Sequence, residues 1–261
     1  MKTIVLIGSG NVATQLARNI YERPEVASHF QVTQVYSPNE SHAQALANLI
    51  ACEAISSLPL MRTDADLYLF SVKDAALEDV INHIPANNGL WIHTSGSMPM
   101  EILATRTQRY GVLYPLQTFS KERPLSLREV PLFLECHREE DLAELQSFAN
   151  LLSNQVRTLD SDQRRTLHLS AVFACNFANH LYALAAHLLE EKQLPFDLLL
   201  PLIQETTAKL SQLPPREAQT GPAIRFDTNI IHKHLAMLHQ HPRMQQIYEI
   251  MSESIYNMYK E

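Results

Sequence analysis

The apolar positions change their period once along the chain, and the change divides it. Residues 3–7, Thr-Ile-Val-Leu-Ile, form a β-branched run long enough for a strand buried on both faces and too short for a helix. In residues 12–21, Val12, Leu16, Ala17 and Ile20 fall on one helical face. Residues 30–36 alternate like a second strand, and 41–52 read as a helix through Ala43, Leu46, Ala47 and Ile50. A nearly continuous apolar strand at 66–72 precedes a helix at 75–84, closed by Pro85, and another strand at 90–93. Strand-like runs at 111–119 and 130–135, an amphipathic helix at 139–152 and a short strand at 155–159 complete this half. Strands alternating with helices predict an α/β domain over residues 1–159, with a doubly wound, mostly parallel sheet.

Beyond Ser161 no strand pattern remains. Helical periodicity covers 161–194, 196–213, 228–240 and 242–259, with Pro242 at a helix start where its missing N–H is harmless. This predicts an all-α domain over residues 160–261, broken by a polar, proline-rich loop at 214–227. The 161–194 helix is apolar around most of its circumference, which predicts burial on several sides. On an unbroken helix His168, Asn176, Asn179, His180 and His187 share a sector roughly 120° wide. Such a stripe needs partners, since an unsatisfied buried polar group costs about 1–3 kcal/mol. An imidazole titrates near neutrality, so His168 is a candidate acid–base residue, with Asn176 orienting a carbonyl or hydroxyl.

The junction after the first strand carries the most specific chemistry. In Gly8-Ser9-Gly10-Asn11-Val12-Ala13, Gly8 suits a tight turn, Gly10 a close backbone approach by pyrophosphate, and Ala13 tight packing of helix on strand. The positive helix N-terminus would then face the phosphates, making Gly8, Ser9, Gly10, Asn11 and Val12 cofactor-binding candidates in a Rossmann-like domain. At the end of the second strand, where an acid would bind the ribose of NAD, the chain has Ser37; this leans toward NADP without excluding NAD. Ser71, Val72 and Lys73 end the next strand and Ser95 the one after, so they too are candidates to line the cofactor. Arg225 and Asp227 leave a Gly-Pro loop at a helix start. They could anchor a substrate anion, or pair and cap the helix.

Charge and composition narrow the partners. The formal net charge is −7 and no basic cluster could follow a run of phosphates, so a small molecule rather than nucleic acid is expected. Cys52, Cys136 and Cys175 are odd in number and widely spaced, which suits a reducing, cytoplasmic setting. The apolar start is too short for a secretory leader. Residues 170–189 could span a membrane only with Asn176, Asn179, His180 and His187 in hydrocarbon, so no membrane partner is expected. His232 and His234 point about 160° apart on a helix, and no nearby acid completes a set with His239 and His241; no metal is expected.

Five stretches taken together resemble a family of presumed NADP oxidoreductases with a Rossmann-like domain and a helical C-terminal domain of unknown function. They are Ile7-Gly8-Ser9-Gly10-Asn11-Val12-Ala13, His93-Thr94-Ser95-Gly96-Ser97, the run from Tyr114-Pro115 to Ser120, the run from His168 to Phe177, and Gly221-Pro222-x-x-Arg225-x-Asp227. More distantly the chain is similar to pyrroline-5-carboxylate reductase, ketopantoate reductase and the 6-phosphogluconate dehydrogenase C-terminal domain. Members often carry His where this chain has Tyr114, and the better-studied relatives pair a helix Lys and Asn four apart, where this chain has His168 and Asn176, eight apart. The resemblance implies hydride transfer between NADP and a small carbonyl, imine or hydroxyl compound in an interdomain cleft, with Thr118 and Arg225 also touching substrate. A non-catalytic NADP sensor or scaffold is the alternative. The apolar excess of the helical domain predicts a homodimer formed through it.

Overall fold

The computed structural model describes residues 1–260. The chain divides into two units, Met1–Asn176 and Phe177–Glu261.

The first unit is built on eight strands: β1 (Lys2–Ile7), β2 (Phe30–Tyr36), β3 (Glu53–Ile55), β4 (Leu67–Phe70), β5 (Leu90–His93), β6 (Tyr110–Pro115), β7 (Leu132–Cys136) and β8 (Val156–Thr158). They lie in the order β3-β2-β1-β4-β5-β6-β7-β8, parallel except where β7 meets β6. The expected strands all appear. The run at 111–119 stops at Pro115, and the edge strand β3 and the short helix α2 (Pro24–Ala27) escaped the periodicity because neither spans two turns of pattern. The helices are α1 (Asn11–Tyr21), α3 (Glu40–Ile50), α4 (Asp74–His83), α5 (Glu139–Leu152) and α6 (Ser161–Ala171). Strand side chains alternate between two cores. Ile4, Leu6, Leu67, Leu69, Leu90 and Ile92 enter one, while Val5, Ile7, Tyr68, Phe70 and Trp91 enter the other. Burial on both faces is why these strands read as continuous apolar runs.

A polar knot holds α6 to the sheet. The Glu135 carboxylate, near the end of β7, accepts from the Ser161 N–H and hydroxyl, both at 2.9 Å, and from the Arg164 guanidinium. Arg164 is 1% exposed and also donates to the Met98 carbonyl and, at 3.1 Å, to the Ser161 hydroxyl. Asp160 caps the helix in a capping box with Gln163. The first unit accordingly includes α6 and runs to Asn176.

The second unit contains α7 (Ala178–Glu190), α8 (Leu200–Ala208), α9 (Pro215–Ala218), α10 (Thr228–Met237) and α11 (Pro242–Tyr259). Here α7, α11, the loop before α10 and Leu238 just after it border an apolar groove of about 370 Å³ lined by Leu184, Leu188, Ala223, Leu238, Ile247 and Met251.

The long helical run Ser161–Glu190 corrects two expectations. It is not buried: Leu169 is 58% exposed, and Leu181 and Leu188 are also exposed. Nor is it a uniform α-helix. Val172–Phe177 is a π-helical segment, whose wider i→i+5 turn rotates all that follows. The 100° spacing that put His168 in one sector with Asn179, His180 and His187 does not hold across this segment, and the exposed Asn179, His180 and His187 can bond to water instead of a buried partner. By length and composition this run could cross a membrane.

Truncating one member of a buried ion pair strands the other charge. Arg164→Ala is therefore expected to lower unfolding stability by about 3–5 kcal/mol, measured by urea denaturation. A loss no larger than that of the exposed Arg165→Ala would show that the knot does not hold α6.

Candidate functional site

In a doubly wound sheet, ligands meet the carboxyl ends of the strands where the strand order reverses, which here lies between β1 and β4. Gly8 leaves β1 with φ +121°. A Cβ there would lie 2.3 Å from the Ser71 carbonyl oxygen, so both conformation and space demand glycine. At Gly10 a Cβ would meet nothing within 4 Å, so the backbone is open to close approach. The start of α1 has no side-chain cap and no acid in its first turn, and a helix that leaves its first N–H groups uncapped suits an anion. These residues fit a dinucleotide pyrophosphate.

The other candidate cofactor residues surround the same turn. The Ser9 hydroxyl donates to the Ser37 hydroxyl at 3.0 Å, tying the turn to the end of β2, and Ser37 is buried. Ser71 accepts from the Thr94 hydroxyl at 3.2 Å, joining the ends of β4 and β5. Val72 is half-buried and Lys73 is exposed ahead of α4. Asn11 donates to the Phe119 carbonyl at 2.8 Å and Gln15 to that of Ser120 at 2.6 Å, so α1 anchors the loop after β6. Ser95 serves its own loop, its hydroxyl oxygen accepting the N–H groups of Ser97 and Met98 at 3.1 and 3.0 Å. Thr118 is exposed, with its N–H donated at 2.8 Å to the Gln117 side chain.

His168 meets a partner that the sequence did not single out as reactive. Its Nδ1 lies 3.0 Å from the Tyr114 hydroxyl at the end of β6, with the rings edge to face. Gly96, in the loop after β5, packs against both: a Cβ there would fall 2.6 Å from His168 Nδ1 and 2.9 Å from the Tyr114 ring. Burial pushes the Tyr114 phenol up, against an opposing pull from Arg164, so it remains protonated. The sequence signal for Tyr114 was its place in the Tyr114-Pro115 run, where members of the resembling family often carry His. Asn176 is exposed within the π-helical segment.

Arg225 and Asp227 belong to the second unit. Asp227 accepts from the Ile230 N–H at 3.3 Å and caps α10, and Arg225 is exposed. His241 approaches Glu191, just after α7, an acid too distant in sequence to have been paired with it.

His93, at the end of β5, is fully buried. Its Nδ1 accepts the Ser95 N–H at 3.2 Å, while Nε2 has no hydrogen-bond partner among the described residues. Burial, assisted by the Arg164 charge, pushes the imidazole down to about 3 against the pull of the Pro99 carbonyl and Asp74. The neutral ring shapes the loop that bears Gly96.

A glycine turn that fits a pyrophosphate and, on the same carboxyl edge of the sheet, a histidine within hydrogen-bond distance of a protonated tyrosine suit a nucleotide-dependent oxidoreductase. Comparison with known proteins agrees. Residues 3–92 match the family described as NADP oxidoreductase, coenzyme F420-dependent, and residues 130–255 match a domain of unknown function, DUF2520. BF3122 from Bacteroides fragilis, a presumed NADP oxidoreductase, is 46% identical with a TM-score of 0.90, each chain covered over 98% of its length. The chain belongs to this NADP oxidoreductase family. The fold extends further. A reductive aminase from Aspergillus terreus, in complex with NADPH and ethyl-5-oxohexanoate, is 15% identical with a TM-score of 0.71, covering 100% of this chain and 93% of its own. The 1-pyrroline-5-carboxylate reductase of Streptococcus pyogenes is 12% identical with a TM-score of 0.62 over 98% of each chain. No curated protein gives a match.

The depressed His93 pKa fixes a sign for acid stability. The unfolded chain takes up a proton near pH 6.5 and the folded chain only near 3, so stability is present above 6.5 and declines as pH falls between them. Wild type is expected to lose up to about 1.4 kcal/mol per pH unit more than His93→Asn across this window, measured by urea denaturation. Parallel curves for the two proteins would refute it.

Proposed function

We propose that the protein is an NADP-dependent reductase that moves hydride between the nicotinamide and a small carbonyl, imine or hydroxyl substrate at the carboxyl edge of its sheet. The observation that carries this reading is the Tyr114–His168 pair, 3.0 Å apart and packed on Gly96, on the edge that also bears the glycine turn. Bound NADPH would supply the hydride. Gly8, Ser9, Gly10, Asn11 and Val12 would hold the pyrophosphate, Ser37 the adenosine ribose, and Ser71, Val72, Lys73 and Ser95 the remainder of the cofactor.

Hydride arriving at a C=O or C=N carbon leaves negative charge on the heteroatom, which needs a proton. The doubly protonated His168 ring delivers it from Nε2 and is left neutral, the catalytic role, while Tyr114 positions the ring through Nδ1. Asn176 and Thr118 orient the reacting heteroatom. The fold relationship to a reductive aminase and a pyrroline-5-carboxylate reductase supports C=N as well as C=O substrates.

Titration with NADPH and NADH, followed by nicotinamide fluorescence, is expected to favour NADPH. With an imine or ketone panel, His168→Ala should lower kcat by about 10²–10⁴-fold with cofactor affinity retained. Tyr114→Phe should shift the pH profile of kcat and leave KM near wild type. Cofactor binding without turnover by wild type on any panel member would favour the sensor reading, and no binding of either nucleotide would refute both.

The same reading assigns the exposed apolar face of the Ser161–Glu190 run, including Leu169, Leu181 and Leu188, to contact with a second copy of the chain. Sedimentation should give a homodimer that Leu181→Asp with Leu188→Asp converts to monomer. A wild-type monomer at micromolar concentration would refute it.

A further inference from the structure

The second unit contains a side-chain cluster that the proposed chemistry leaves unused. His187 and Glu191 are four residues apart and so share a face at the end of α7. His241, immediately before α11, brings a second imidazole to the same carboxylate. Glu191 Oε1 lies 3.6 Å from His187 Nε2 and 3.0 Å from His241 Nε2. The two rings stand nearly perpendicular, their centroids 5.5 Å apart, and one donor atom from each of the three residues lies within 4.8 Å of the others.

Two ligands bonded at about 2.0–2.1 Å to a tetrahedral ion sit roughly 3.4 Å from each other. The 3.0 and 3.6 Å edges bracket that distance. Two histidines and a glutamate are also a set that binds zinc while leaving a position for water. We propose that His187, Glu191 and His241 bind one divalent transition ion of the zinc class, tying the end of α7 to the start of α11.

An ordinary His–Glu pair uses one imidazole, whereas here two reach the same carboxylate oxygen. A cation instead draws the lone pairs of both rings and the carboxylate to one point. The backbone adds a second argument. Glu191 follows the last residue of α7, where the negative end of the helix dipole disfavours a carboxylate, and a bound cation reverses that sign. His241 occupies the N-cap position of α11, yet its side chain does not cap the helix. Its N–H donates to the Leu238 carbonyl at 2.8 Å and its carbonyl accepts from the Gln245 N–H at 2.9 Å, so the backbone bearing the ring is held. Leu188, Leu238 and Met244, close in sequence to these ligands, line the apolar groove, so the ion would brace one end of it.

Untagged full-length protein, stripped with chelator, would be titrated with Zn²⁺ by calorimetry and with Co²⁺ by visible absorption. The expected result is one ion per chain and the intense absorption of tetrahedral cobalt. His187→Ala, Glu191→Gln and His241→Ala should each weaken binding by more than the roughly 10- to 100-fold that loss of an outer-shell partner costs. His232→Ala should leave it unchanged. Thermal melts in chelator show that each variant is folded. Absence of binding by wild type, binding that survives all three substitutions, or equal loss in His232→Ala would overturn the site.

Discussion

The geometry of the site depends on a charge that must not be left alone. Arg164 is almost completely buried, and a guanidinium cannot shed its proton to escape the cost of leaving water. Glu135, the Met98 carbonyl and the Ser161 hydroxyl satisfy it together, and these groups come from β7, the loop after β5 and α6 itself. Only one placement of α6 brings all three to the guanidinium. His168 lies one helical turn further on, so the placement that satisfies Arg164 also carries the imidazole to Tyr114 and Gly96. An apolar residue at 164 could hold α6 by area alone, but without the direction that several hydrogen bonds impose.

Close approach governs the other half of the site. Gly8 is pressed against the carbonyl of Ser71, and Gly96 against the His168–Tyr114 pair, so neither can carry a side chain. Gly10 differs: nothing in the protein crowds it, and its value lies in what it leaves open. The same logic explains the uncapped start of α1. A capping side chain or an early acid would stabilise the helix by about 1 kcal/mol and would compete with an anion for its N–H groups. Local stability is given up where a ligand is to be received.

The central strands were legible because each contributes to two cores at once, which leaves no polar residue to blur the run. Helix α11 and strand β5 were legible to the residue, bounded by Pro242 and by the Thr94-Ser95-Gly96 turn. Strand β3 was not: three residues at a sheet edge need little apolar pattern, and its pairing with β2 is what makes it a strand. The π-helical segment was equally hidden, since its composition does not distinguish it from an α-helix, yet it undid the polar stripe drawn along the helix. Burial of that helix was overestimated because an apolar circumference says what should be covered and not whether one chain can cover it.

Gly8, Gly10 and Ala13 stand close together in the chain, so their order alone determined the glycine turn between strand and helix, and alternating strand and helix periods determined the sheet that holds it. Local rules suffice there because every group involved is a near neighbour. Tyr114 and His168 are 54 residues apart, and His187 and His241 are as far apart again; no periodicity links such pairs. Tertiary structure alone decided that the histidine reaches a tyrosine, because a hydrogen bond depends on where two elements are packed and a sequence pattern records only which face each one buries.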